Sequence, residues 1–174
     1  EKISVTVPEK SDTVWITAVG DIVPGSDFDR IFLPPNDGKT LITDLIPYIK
    51  NADLAFANFE GIIKGCNCQP RTCHDKKNCF RFRIPEKYML RLKEAGFSIL
   101  NIGSNHTDDF RTKGRAYNLK KLTEMGFHAA GTKENPCIIF ENNSIKYGFC
   151  AFAEFRGCFG MRDSAKVAAE VRKT

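Results

Sequence analysis

Apolar runs of strand length alternate along this chain with stretches of helical period. Trp15–Val19, Ala52–Ala57 and Phe97–Ile102 are short runs rich in β-formers and predict buried strands. Leu41–Ile49, Glu86–Ala95 and Tyr117–Met125 carry apolar residues at helical spacing. Thr40 is placed to cap the first of these helices, and Pro47 is expected to weaken its last turn. Pro85 and Gly96 bracket the second. Phe80–Ile84 alternates apolar with basic residues, as a half-exposed strand does. Phe127–Ala130 predicts a short strand, and Cys137–Phe140 with Ile145–Phe152 a hairpin joined through Glu141–Ser144. Asp163–Lys173 has a helical pattern, and Glu1–Thr13 reads as a polar arm or a first edge strand. The alternation predicts an α/β sandwich with a largely parallel sheet and a more antiparallel portion after it. No internal repeat or domain boundary is evident, so residues 1–174 are expected to form a single domain, interrupted by a polar insertion at about 61–80.

Three of the predicted strands end in polar residues of reactive types. Asp21 follows the first, Asn58 and Glu60 the second, and Asn105, His106, Asp108 and Asp109 the third. If the strands are parallel neighbours, these groups meet on one rim, at the carboxyl ends where α/β proteins bind ligands. Carboxylate, amide and imidazole together form a mixed donor set suited to Mn, Zn or Fe. The plainer reading is a set of ordinary turn and helix-start residues, with His106 merely exposed.

Composition narrows the setting. The 174 residues carry a net charge of +5, which favours anionic partners. Lysines and arginines are scattered without a basic stripe, which argues against nucleic acid. No apolar run approaches the ~20 residues of a membrane span. Of seven cysteines, Cys66, Cys68, Cys73 and Cys79 fall within the insertion, a polar loop with no core of its own. Disulfides are the expected staple, in an oxidising, extracytoplasmic compartment. Their spacing fits zinc less well, even with His74 as a further donor. Cys137 and Cys150 read as buried apolar positions, His74 as a surface residue and His128 as a sheet-edge residue. The first residue is Glu1, as if a signal or anchor segment had been removed; membrane association is expected only through such a segment.

Particular stretches resemble a known family. They are Gly20–Gly25, Ala52–Glu60, Leu92–Phe97, Asn105–Asp109 and Leu122–Phe127, which in this order and spacing cover about residues 14–153. They are similar to the CapA (PgsA) family of bacterial capsule-synthesis proteins, associated with poly-γ-glutamate. The resemblance implies a two-sheet sandwich flanked by helices, like that of calcineurin-like metallophosphoesterases and incomplete at the C-terminus. It further implies that Asp21, Glu60 and His106 are metal-site positions, with Asn58 and Asn105 as ligands or their partners. Asp109 matches an aspartate of the Asn-His motif, so Asn105, His106 and Asp109 are the expected catalytic group. Arg111 stands where the family usually has Gly, and the His-containing strands that complete the family's site would lie beyond Thr174. Weak metal binding and little turnover are therefore expected of these residues alone.

Two function classes follow. One is a metal-dependent hydrolase acting on a phosphoester or a γ-glutamyl amide. The other is a non-catalytic component of polymer synthesis or export that holds a polyanion. For either, Lys64, Arg71, Lys76 and Lys77 around the insertion are expected to guide an anionic polymer.

Overall fold

The computed structural model describes residues 13–75 and 77–174. In chain order, β1 (Ile16–Ile22) is followed by a 3-10 turn at Pro35–Gly38 and a second at Thr43–Leu45, which runs into α1 (Ile46–Lys50). Next come β2 (Leu54–Phe59), β3 (Ile62–Ile63), β4 (Arg83–Ile84), α2 (Glu86–Ala95) and β5 (Ile99–Asn101). The chain continues through α3 (Arg111–Glu124), β6 (His128–Ala130), β7 (Cys137–Asn142), β8 (Ile145–Cys150) and α4 (Ser164–Lys173). The arm foreseen at the N-terminus falls almost entirely on residues 1–12, outside the described residues.

A four-stranded parallel sheet in the order β1-β2-β5-β6 organises these elements. It is the α/β arrangement that the strand–helix alternation predicts. Side chains alternate across it. Ala55, Ala57 and Phe59 of β2 and Leu100 of β5 pack toward the helices, against Ile49 of α1, Met89 and Leu92 of α2 and Leu122 of α3. Leu54 and Phe56 of β2 and Ile99 of β5 point the other way, against Phe140 of β7 and Tyr147 and Phe149 of β8. The β7–β8 hairpin thus covers the face that the helices leave open. Each fully buried Leu, Ile or Phe in these layers contributes about 1.5–3 kcal/mol.

Several elements differ from the sequence reading. β1 and β2 run on through Asp21 and Asn58, because the parallel ladder resumes there after an irregularity between Ala18 and Asp21. Pro47 lies in the first turn of α1, where its missing N–H costs no helical bond, so it starts the helix. α3 begins at Arg111, well before Tyr117. Of the alternating stretch Phe80–Ile84 only Arg83–Ile84 joins a ladder, in parallel with β3, a two-residue strand too short for periodicity to show. Asn143 and Ser144 both have positive φ, the geometry of a tight two-residue hairpin turn.

The cysteines need one correction. Cys137 and Cys150 are not merely apolar: the hairpin register sets them opposite each other, with Cα atoms 4.1 Å apart, and they form a disulfide. The insertion holds the pairs Cys66–Cys68 and Cys73–Cys79, one of the three pairings open to sequence. Cys158 is free and buried. Titration of thiols in denaturant should therefore detect one thiol per chain without reductant and seven after full reduction. Four or more before reduction would contradict the stapled insertion.

Candidate functional site

The parallel register brings the three strand ends together. Asp21 lies beside Asn58, and Asn58 beside Asn101, on adjacent strands. A relay of side-chain amides links them. The Gly103 N–H donates to Asn101 Oδ1 at 2.7 Å, and Asn101 Nδ2 donates to Asn58 Oδ1 at 2.7 Å. Asn58 Nδ2 then donates to Asp21 Oδ1 at 2.7 Å and, at 3.3 Å, to Glu60 Oε1. A backbone N–H can only donate, so Gly103 fixes the orientation of Asn101, which fixes that of Asn58. The amide nitrogen of Asn58 therefore bridges two carboxylates, and its oxygen is turned toward Asn101. Gly103 itself has no room for a side chain: a Cβ there would stand 2.8 Å from the Gly131 carbonyl oxygen.

The turn after β5 carries the imidazole. Thr107 Oγ1 donates to the Ile102 carbonyl at 2.6 Å and accepts from the Ser104 N–H at 2.7 Å; the His106 N–H donates to Ser104 Oγ at 3.1 Å. These bonds hold His106 inward, 7% exposed, beside Asp109, 0% exposed. Asp109 Oδ2 accepts from His106 Nδ1 and from the Phe82 N–H, each at 2.8 Å, while Oδ1 accepts from Arg71 Nε at 2.9 Å. Since Asp109 accepts, the imidazole proton sits on Nδ1, and Nε2 presents its lone pair to Glu60 Oε2, 4.0 Å away. The Phe82 ring lies over the imidazole at 4.3 Å.

Glu60 is the strained charge of the group. Burial pushes its carboxyl above the usual carboxylate range, and the charges of Asp21 and Asp109 add to this; His106 opposes it only when it is protonated on both nitrogens.

Of the residues singled out in the sequence, Asp21, Asn58, Glu60, His106 and Asp109 converge. Asn105 is exposed on the turn, and its side chain makes no hydrogen bond among the described residues. Asp108 faces away from the imidazole and pairs with Arg115 and, at 3.1 Å, Arg156. Asn101, Phe82 and Arg71 complete the site; the first two were not singled out in the sequence, and Arg71 was expected to guide a polymer and is found on Asp109. Asn101 ends a strand as Asn58 does, a signal that was legible; Arg71 lies 38 residues before its partner, within the insertion, with no local signal.

The residues suit a divalent cation in chemistry more than in count. Glu60 and His106 Nε2 adjoin as oxygen and nitrogen donors, and Nδ1 bound to a buried carboxylate is the usual support of a metal-bound histidine. Asp21 is held off by the Asn58 amide. Among the described residues no group of three or more His, Cys, Asp and Glu side chains is arranged to hold a metal ion.

Residues 15–173 match the family described as bacterial capsule synthesis protein PGA_cap. The chain is 26% identical over 165 residues to the capsule biosynthesis protein CapA of Bacillus anthracis. That match covers 88% of this chain and 38% of the relative, so the chain spans well under half of the relative's length.

Two outcomes follow from this geometry. A carboxyl whose folded pKa is raised costs stability as pH climbs from the unfolded value through the folded one. Glu60→Gln should therefore raise the melting temperature at neutral pH in chelated buffer, and the gain should vanish in acid below the ordinary glutamate pKa; a pH series of thermal melts checks this. Arg71→Met strands a buried carboxylate and should cost about 3 kcal/mol in denaturant unfolding. Lys64→Met, which breaks the exposed pair with Asp27, should cost no more than about 1 kcal/mol.

Proposed function

The chain belongs to the family of bacterial capsule synthesis proteins, and from that premise we propose that Asp21, Glu60, His106 and Asp109 form the reaction site of a metal-dependent hydrolase in capsular polymer metabolism. The observation that carries this reading is the buried Asp109–His106 pair aimed at Glu60, a carboxylate whose charge burial disfavours. A cation beside Glu60 would relieve that charge. Glu60 and His106 Nε2 would hold Mn, Zn or Fe, with Asp21 adding its charge from behind the Asn58 amide; the ion when bound supplies polarisation of a carbonyl or phosphoryl oxygen and a more acidic water.

The chain's own residues set up the rest. Asp109 keeps the Nδ1 proton in place, so in the neutral imidazole Nε2 faces a cation or a proton from an attacking water. Asp109 also stabilises the imidazolium that such a proton creates, without itself being protonated. Phe82 covers one face of the ring and keeps water from it. Asn58 holds Asp21 and Glu60 at fixed separation, so two like charges stay close without drifting apart. The substrate that fits the family resemblance is a γ-glutamyl amide of an anionic polymer, or a phosphoester.

Disulfides in the hairpin and the insertion support an extracytoplasmic setting. No helix among the described residues is long and apolar enough to cross a membrane. A second reading, a component that holds the polymer without cleaving it, is favoured by the arginines gathered around the insertion.

Calorimetry with Mn and Zn tests the first reading. His106→Ala should abolish binding, while Glu141→Ala, on the far hairpin, should leave it unchanged. Where amine release from a γ-linked glutamate oligomer is measurable, His106→Ala should lower it by about a hundredfold or more. Equal metal affinities in the two variants would contradict the reading.

A further inference from the structure

The insertion does more than bring Arg71 to Asp109. Beside it lies an open cleft of about 860 Å³ lined by four guanidiniums, Arg30, Arg71, Arg81 and Arg111, and by one carboxylate, Asp29. The disulfide Cys73–Cys79 forms part of its wall. The cleft adjoins the site already described, because Arg71 lines the one and bonds Asp109 in the other.

The charges in the cleft do not balance. Arg71 is neutralised by Asp109, and Arg81 spends Nε and Nη2 on the two oxygens of Asp29, at 2.7 and 2.6 Å. Arg30 and Arg111 have only uncharged partners among the described residues. Arg30 Nη2 donates to the Lys77 carbonyl at 2.9 Å, with the guanidinium over the Phe80 ring at 4.4 Å. Arg111 donates from Nε to the Pro70 carbonyl at 3.2 Å and from Nη2 to Thr72 Oγ1 at 3.3 Å. Each guanidinium has five N–H donors, so both keep donors free for a ligand. Of the basic residues expected to guide a polymer, Lys64 is instead paired with Asp27 and Lys76 lies outside the described residues.

Backbone strain points to the same place. Arg111 has φ +58° and Asp29 φ +55°, in the left-handed region that side chains other than glycine's adopt at a cost. Both line the cleft. Strained residues held by their surroundings cluster at binding sites. Here Arg111 is held by two bonds to the insertion.

We propose that this cleft is an anion-binding subsite, in which Arg30 and Arg111 grip carboxylates of a polyanionic chain next to His106. A planar guanidinium fork matches a two-oxygen carboxylate, and two separated forks suit a ligand that repeats its charge. The choice of a polycarboxylate rests on the capsular-polymer reading; the existence of an anion site does not.

Binding of a γ-linked glutamate oligomer, measured by calorimetry at low and high salt, tests the proposal, with inorganic phosphate as the second probe. The oligomer should bind, and more weakly as salt rises. Arg30→Gln and Arg111→Gln should each weaken it about tenfold, with unchanged melting temperature. Lys146→Gln removes the same charge from the exposed end of the hairpin and should leave binding as it is. Binding is measured in chelated buffer, where no metal-dependent turnover occurs, so a failure of the hydrolase reading and a failure of this one are separate results. Equal affinity in wild type and both arginine variants, or no oligomer binding at low salt, would overturn the proposal. Phosphate binding as tightly as the oligomer would make this a site for isolated anions and overturn the polyanionic chain as its ligand.

Discussion

A buried carboxylate must have its charge met by hydrogen bonds or a cation, and Asp109 imposes that condition on three separate parts of the chain. The insertion supplies Arg71, the segment leading into β4 supplies the Phe82 N–H, and the turn after β5 supplies His106. None of the three can move away without stranding the charge. The insertion is thus a structural partner of the site as well as a loop at its edge. The next aspartate along, Asp108, points away to Arg115 and anchors the turn to α3. Neighbouring carboxylates therefore clamp the turn from two sides, and Asp109 alone holds the His106 ring.

The sheet contributes an independent constraint. Parallel register aligns Asp21, Asn58 and Asn101 across three strands, and the Gly103 N–H sets the direction of every amide in the line. That direction keeps a donor between Asp21 and Glu60, where two carboxylates would otherwise only repel. The price is a Glu60 that burial leaves poorly solvated, the kind of locally unfavourable arrangement that sites retain for function.

Much of this was legible in the residues. Trp15–Val19, Ala52–Ala57 and Phe97–Ile102 read as strands because each packs β-formers into a short run, and each fed a polar end that reached the common rim. α2 was bounded correctly by Pro85 and Gly96, which act locally. What escaped depended on distant partners. The Cys137–Cys150 bond follows from hairpin register, β3 exists only because β4 pairs with it, and Arg71's place on Asp109 depends on a contact 38 residues away. Pro47 was misjudged for a local reason: the helix starts later than its apolar spacing implied, which moves the proline from the last turn to the first.

The central claim is that buried Asp109 fixes the proton of His106 on Nδ1 and frees Nε2. Nitrogen-15 NMR of the imidazole reads this directly, since protonated and unprotonated ring nitrogens have distinct shifts. In chelated buffer above the imidazole's titration, His106 should show a single Nδ1–H tautomer, and Asp109→Asn should lose that preference. An Nε2–H tautomer in the wild type, or a pattern unchanged by Asp109→Asn, would contradict the account.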